Sequence, residues 1–171
     1  MESAPLSSIP AWLITATPAS TRAKRYSHGR GSDDLARQVH ESCFDPSVII
    51  AIARGGMVPA GSLTYRLGVK LTDAINVEFY TDVHQTLPDP VLLAPMLDTE
   101  SITGRRILIV DDVVDSGRTL ALVVKLLRGF GAEVRSAVLY AKPTTVVEPD
   151  FCWKHTDRWI VFPWSAKPPL G

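Results

Sequence analysis

The chain has 171 residues, 46% of them apolar and 21% charged, enough for one domain with a full core and short for two. That composition excludes a disordered or collagen-like chain. Eighteen Lys and Arg balance eighteen Asp and Glu, so no global charge recruits nucleic acid or an anionic membrane, and charge-driven binding has to be local.

The first thirty or so residues are rich in Ser, Pro, Thr and Ala and then basic at Arg22, Lys24, Arg25 and Arg30; a loosely ordered arm is expected over 1–31, followed by a single domain over 32–171. The start lacks a secretory pattern, because Glu2 stands where a basic residue is expected and the apolar run near Ala11 is short. No window approaches the roughly 18 apolar residues of a membrane span. Cys43 and Cys152 are far apart and without metal-ligand spacing, which suits reduced thiols in a cytoplasmic protein.

Ser32 reads as a helix N-cap, with Asp33 and Asp34 in the first turn and Leu35, Val39 and Cys43 at helical spacing. "SVIIAIAR", 47–54, is a short β-branched run that suits a strand buried on both faces, and it ends in "RGG". Pro59 then suits a first helical position and Gly68 a C-terminal cap, before a second strand, "AINVEFY". Residues 81–104 hold three prolines, four acids and no Lys or Arg, without sustained periodicity; a flexible lid is expected there. Strand "RILIV", a helix from Gly117 with Leu120, Val123, Val124 and Leu127 on one face, and strand "EVRSAVLY" complete an α/β alternation. The fold class it predicts is a mainly parallel twisted sheet flanked by helices, with ligands collected at the carboxyl ends of the strands.

Both "RGG" and "DDVVDSGRT" are expected at such ends. After Val110 the chain is expected to leave the sheet, and the small residues of "DSGRT" open a helix whose first amides suit one phosphate, with Ser116 and Thr119 adding hydroxyls. The spacing is not that of a P-loop. Asp111 and Asp112 suit vicinal hydroxyls or a metal carried by a polyphosphate, and Asp115 suits a proton acceptor at the reacting centre.

"ILIVDDVVDSGRT" resembles the phosphoribosyl pyrophosphate (PRPP) motif of the type I phosphoribosyltransferases. The resemblance implies that Asp111 and Asp112 contact the ribose hydroxyls, that Asp115, Ser116, Gly117, Arg118 and Thr119 hold the 5-phosphate, and that Asp115 is the catalytic acid or base near purine N7. "IARGGMVPAG" is similar to the family's pyrophosphate loop, which implies that Arg54 and Gly55 contact the leaving pyrophosphate, often across a strained cis peptide. A guanidinium beside exposed amides suits that charge. "YAKP" and "DRWIVFPW" resemble the base-recognition segment of purine enzymes that use 6-oxopurines, implying a hood over 142–171 in which Lys142 donates to O6, Trp159 stacks on the base and Ile160 offers its backbone. An ammonium selects an oxo over an amino group, and an indole face holds a flat heterocycle.

The resemblance covers about residues 32–168 and is strongest to the short xanthine-guanine and hypoxanthine enzymes. It implies Mg2+, held near Asp111 and Asp112 mostly through PRPP and water, PRPP and a purine base as partners, and a homodimer or homotetramer. This chain departs from the family in its lid without basic residues and in Ser165 after "FPW", where some relatives have an acid; the resemblance does not extend to the arm. The expected activity is transfer of ribose 5-phosphate from PRPP to a 6-oxopurine in purine salvage. The alternatives are a PRPP-binding regulator without turnover, disfavoured by the short stretch before the core and the retained Asp115, Lys142 and Trp159, and transfer to a non-purine acceptor. A receiver domain would leave "DSGRT" and the tryptophans without a role.

Overall fold

In the computed structural model the described residues are 28–78, 81–82, 85–86, 91–92 and 99–170. The chain divides into two compact units, one of residues 26–159 and one of residues 1–25 with 160–171. The arm expected over 1–31 therefore lies outside the described residues as far as 27.

Helix α1 spans His28–Glu41, β1 Val48–Ala53, α2 Met57–Leu67 and β2 Thr72–Glu78. After the two-residue strands β3 (Thr81–Asp82), β4 (Gln85–Thr86) and β5 (Val91–Leu92) and the single turn α3 (Thr99–Ile102) come β6 (Arg106–Val114), α4 (Arg118–Gly129), β7 (Glu133–Ala141) and β8 (Phe151–His155). The sheet order is β5-β2-β1-β6-β7-β8. Its five long strands run parallel, as the β-branched runs predict, and β5 adds an antiparallel edge through Val77↔Leu92. Of the segment expected as a lid, the described parts are the small β3–β4 pair, β5 and α3, whose Ile102 is buried in the core.

Alternation within the strands sorts two cores. Val48, Ile50, Ile52, Ile107, Ile109, Val134 and Val138 join Leu120, Val123 and Leu127 of α4 in one cluster. The intervening Ile49, Leu108 and Leu139 are also fully or almost fully buried, on the face where α1 and α2 lie against the strands. Each such side chain contributes about 1.5–3 kcal/mol of burial, which suits a sheet covered on both sides.

Four expectations are corrected. Ser32 is not an N-cap: α1 begins at His28, and Ser32 is buried within the helix. The extra turn is allowed by Gly31, where a Cβ would stand 2.9 Å from Leu139 and 3.1 Å from Trp153, so close packing on the sheet outweighs the capping signal. Asp33 and Asp34, moved out of the first turn, serve tertiary contacts instead: Asp33 pairs with Arg66 at 2.8 Å and Asp34 accepts from the Trp153 indole at 3.0 Å. Likewise α2 starts two residues before Pro59, which costs nothing because the first amides of a helix have no intrahelical partner. The expected cap at Gly68 is present, left-handed at φ 70°.

The third correction concerns β6, which does not end at Val110. It pairs with β7 on through Asp111↔Val138, Val113↔Tyr140 and Val114↔Ala141, whereas its pairing with β1 stops at Ala51↔Val110. The aspartates therefore stand on a strand that still has one neighbour and has lost the other. The fourth is β8, absent from the sequence reading because "FCWKH" is short and follows a Pro-rich loop. Asp150 anchors it: its carboxylate accepts from the backbone N–H and the hydroxyl of buried Ser136, both at 2.8 Å.

In the unit holding residues 160–171, a 3-10 turn covers Pro163–Ser165, and the rings of Phe162 and Trp164 stack with centroids 4.7 Å apart.

Candidate active site

The chain passes from β1 outward to β2 and then returns to the other side of β1 for β6, so the order of strands reverses between β1 and β6. In open α/β sheets the crevice outside the carboxyl ends at such a reversal is where ligands bind. Here it is the gap that opens once β1 stops pairing at Val110.

One wall is the turn after β1. A cis peptide joins Ala53 to Arg54, one bond before the Arg54–Gly55 pair across which the resemblance places it, and Gly56 donates its N–H to Ile52 O at 2.9 Å while Met57 donates to Arg54 O at 3.2 Å. Both glycines are dictated by close approach. A Cβ on Gly55 would fall on the Asp112 carboxylate, and one on Gly56 would fall on Val110 O and lie 2.7 Å from Ile52 O. The Arg54 side chain is exposed at this rim.

The floor is Asp111 and Asp112, both half-buried. The Asp112 N–H donates to Asp111 Oδ1 at 2.9 Å. Burial, followed by the adjacent Asp112 charge, pushes the Asp111 carboxyl well above the usual carboxylate range. Two carboxyls side by side in partial burial form a donor set that a cation would relieve. Among the described residues no cluster of three or more His, Cys, Asp or Glu could hold a metal unaided, so the pair fits a cation that takes most of its ligands from a substrate and water.

Beyond Val114, residues 115–117 turn into α4, with Gly117 at φ 79° acting as N-cap without any side-chain capping bond. The first amides of this twelve-residue helix carry the partial positive charge of a helix N-terminus, which suits an anion. Asp115, Ser116 and Arg118 are exposed, and Thr119 is half-buried.

The third wall is the loop after β7. Lys142 donates its N–H to Val114 O at 2.8 Å, and its ammonium reaches the carbonyl of Arg158. Trp159, next in sequence, is 87% exposed, leaving an indole face available to a flat ligand. Thus Lys142 and the segment bearing Trp159 are joined directly. Ile160 is half-buried and belongs to the second unit.

Sequence reasoning missed Thr144 and Thr145. The Thr144 hydroxyl lies 3.2 Å from Asp115 O and 3.3 Å from Asp115 Oδ1, and Thr145 Oγ1 occupies the space where Gly117 would carry a Cβ. Their only trace in sequence is a pair of hydroxyl residues after Lys-Pro, which does not reveal a partner 29 positions away. A separate groove of about 570 Å³ lies between α1 and α2, lined by Asp33, Arg37, His40, Phe44 and Arg66 among others. None of the expected ligand-binding residues lines it, so it plays no part in locating the site.

Known proteins point the same way. Residues 24–169 match the family described as phosphoribosyl transferase domain. A xanthine-guanine phosphoribosyltransferase of Cereibacter sphaeroides is 38% identical over 119 residues, covering 68% of each chain. A purine phosphoribosyltransferase from Pyrococcus horikoshii superposes with a TM-score of 0.70 at 37% identity, over 84% of this chain and 92% of that one. A Helicobacter pylori xanthine-guanine-hypoxanthine phosphoribosyltransferase does so with a TM-score of 0.67 at 27% identity, over 80% and 87%. With this fold, this crevice and these relatives, the chain belongs to the phosphoribosyltransferase family, a group of pentosyl-transferring glycosyltransferases, and resembles its short purine members.

Proposed function

We propose that the protein transfers ribose 5-phosphate from PRPP to a ring nitrogen of a 6-oxopurine, releasing pyrophosphate. The observation that carries this reading is that Arg54–Gly55, the Asp111–Asp112 pair, the 115–119 cradle and Lys142 all belong to the carboxyl ends of three adjacent parallel strands, β1, β6 and β7. Each chemical part of the reactants has a matching group there. The cradle suits the 5-phosphate, the carboxyl pair the ribose hydroxyls, Arg54 and the Gly55 amide the leaving pyrophosphate. Lys142 suits O6 as a donor, and Trp159 suits the purine face.

In the reaction the bond between the anomeric carbon and the pyrophosphate oxygen breaks, and a bond from that carbon to the purine nitrogen forms. The anomeric centre passes through oxocarbenium-like character, as in glycosyl transfer generally. Asp115 takes up the proton released from the imidazole ring of the purine, and the nearby carboxylates offset the positive charge on the ribose. Mg2+, held by Asp111 and Asp112 together with PRPP and water, would neutralise the departing pyrophosphate. A lid over the crevice, expected from within 81–104, would keep water from the activated ribose. Two unpaired cysteines support a reducing, cytoplasmic setting, and the exposed Met57, Val58 and Tyr65 of α2 support an oligomer.

The test is incubation of the purified protein with PRPP and Mg2+ against hypoxanthine, guanine, xanthine, adenine, orotate and uracil, following nucleotide and pyrophosphate together. Nucleotide from a 6-oxopurine and none from adenine is the expected result. PRPP binding by calorimetry with no base consumed overturns it in favour of a regulator.

A further inference from the structure

We propose that Thr144 is a positioning residue that fixes the Asp115 carboxylate for proton transfer, an inference that rests on the phosphoribosyl-transfer reading above. The Thr144 hydroxyl is within hydrogen-bond reach of two acceptors of one residue, the Asp115 main-chain oxygen at 3.2 Å and its carboxylate Oδ1 at 3.3 Å. A single donor straddling both restrains the side-chain torsions that decide where the carboxylate points. That restraint matters because Asp115 is exposed, at the point where β6 gives way to the phosphate cradle, and an unrestrained exposed carboxylate samples several rotamers. Proton transfer needs it held in one of them.

Thr144 is itself held. On one side of it, Lys142 N–H bonds to Val114 O at 2.8 Å and Thr145 N–H bonds back to Lys142 O at 3.1 Å. On the other, Val146 N–H bonds to Ser116 O at 3.0 Å. Thr145 fills the hollow over Gly117 and donates its hydroxyl to Val147 O at 2.8 Å. The loop 142–147 is therefore fastened to residues 114–117 before and after Thr144, so the hydroxyl is delivered to Asp115 by the backbone. The same loop begins with Lys142, whose ammonium reaches the Arg158 carbonyl beside Trp159. One short segment thus carries both the expected donor to the base and the group that aims the proton acceptor.

The test uses single-turnover rates and PRPP affinity for the wild type, Thr144→Val, Thr144→Ser, Asp115→Ala and the Thr144→Val/Asp115→Ala double variant. Valine keeps the shape and removes the donor; serine keeps the donor. The expected result is a loss of about tenfold in rate for Thr144→Val at unchanged PRPP affinity, the effect of one charge-assisted hydrogen bond. Thr144→Ser restores most of the rate, and Thr144→Val produces no further loss once Asp115 is Ala, as required of two groups that act as a unit. Wild-type rates in Thr144→Val, an equal loss in Thr144→Ser, or the same tenfold loss in the Asp115→Ala background each overturn the proposal. So does weaker PRPP binding at an unchanged rate, which would assign Thr144 to the phosphate loop. Full activity in Asp115→Ala is a different failure: it removes Asp115 from catalysis and with it the reading on which the proposal rests.

Discussion

The carboxylate of Asp112 occupies the space in which Gly55 would carry a Cβ, so the turn after β1 and the acidic end of β6 touch across the crevice where these two strands part. In Gly55→Ala the methyl and the carboxylate cannot both keep their positions, and one of the two expected subsites, for pyrophosphate or for ribose, has to move. Since the rim is away from both buried clusters, the variant should fold with a near-normal melting temperature and lose PRPP affinity by about tenfold or more, in line with the loss of one or two anion or hydroxyl hydrogen bonds. Calorimetric titration with PRPP and Mg2+ checks it; unchanged affinity would show that the loop yields without cost.

Asp111 gives a pH dependence with a definite sign. Its folded-state pKa is raised by burial and by Asp112, so the folded chain holds this proton more tightly than the unfolded chain does. The resulting stability is fully present below the unfolded carboxylate value, about 3.9, and is lost as pH rises through the higher folded value. Asp111→Asn has no such loss. Compared with wild type, the metal-free, ligand-free variant should melt at a higher temperature at neutral pH, and the gain should shrink towards pH 4. Melting curves across this range that stay parallel for the two proteins would contradict the assignment.

Lys142 is tied to the Arg158 carbonyl, so its removal affects both recognition of O6 and the placement of the segment leading to Trp159. Lys142→Ala should raise KM for 6-oxopurines by roughly ten- to a hundredfold, the range for a hydrogen bond from a charged donor, with a much smaller effect on PRPP. Steady-state kinetics with each base decide; an unchanged base profile would remove Lys142 from base recognition.

Asp150 supports the site from outside it. Its carboxylate satisfies the N–H and hydroxyl of Ser136, a buried polar residue in the middle of β7, and so holds the start of β8. Asp150→Ala leaves Ser136 without those partners and should cost about 1–3 kcal/mol of stability. Denaturant unfolding would measure it, with Ser136→Ala/Asp150→Ala recovering part of the loss because the buried hydroxyl is then gone and only the backbone N–H of residue 136 is left without its partner.

The sequence alone determined the elements whose chemistry is local. β-Branched runs at 47–54 and 106–110 read as buried strands, the apolar face from Leu120 to Leu127 as that of a helix lying on a sheet, and Gly68 as a C-terminal cap. The "DDVVDSGRT" string carried the PRPP reading because all its groups sit within one strand-to-helix turn. What depended on partners far along the chain could not be read there. Ser32 looks like a cap until Gly31 is seen against Leu139 and Trp153; β6 looks finished at Val110 until β7 is found still pairing at Val114; β8 exists because Ser136 and Asp150 meet. Thr144 acquires its relation to Asp115 only when the loop after β7 folds back over the one after β6. Hydrophobic period and turn chemistry are properties of neighbours in sequence, whereas strand pairing and side-chain hydrogen bonds across loops are properties of neighbours in space, and these last decide how the crevice is walled.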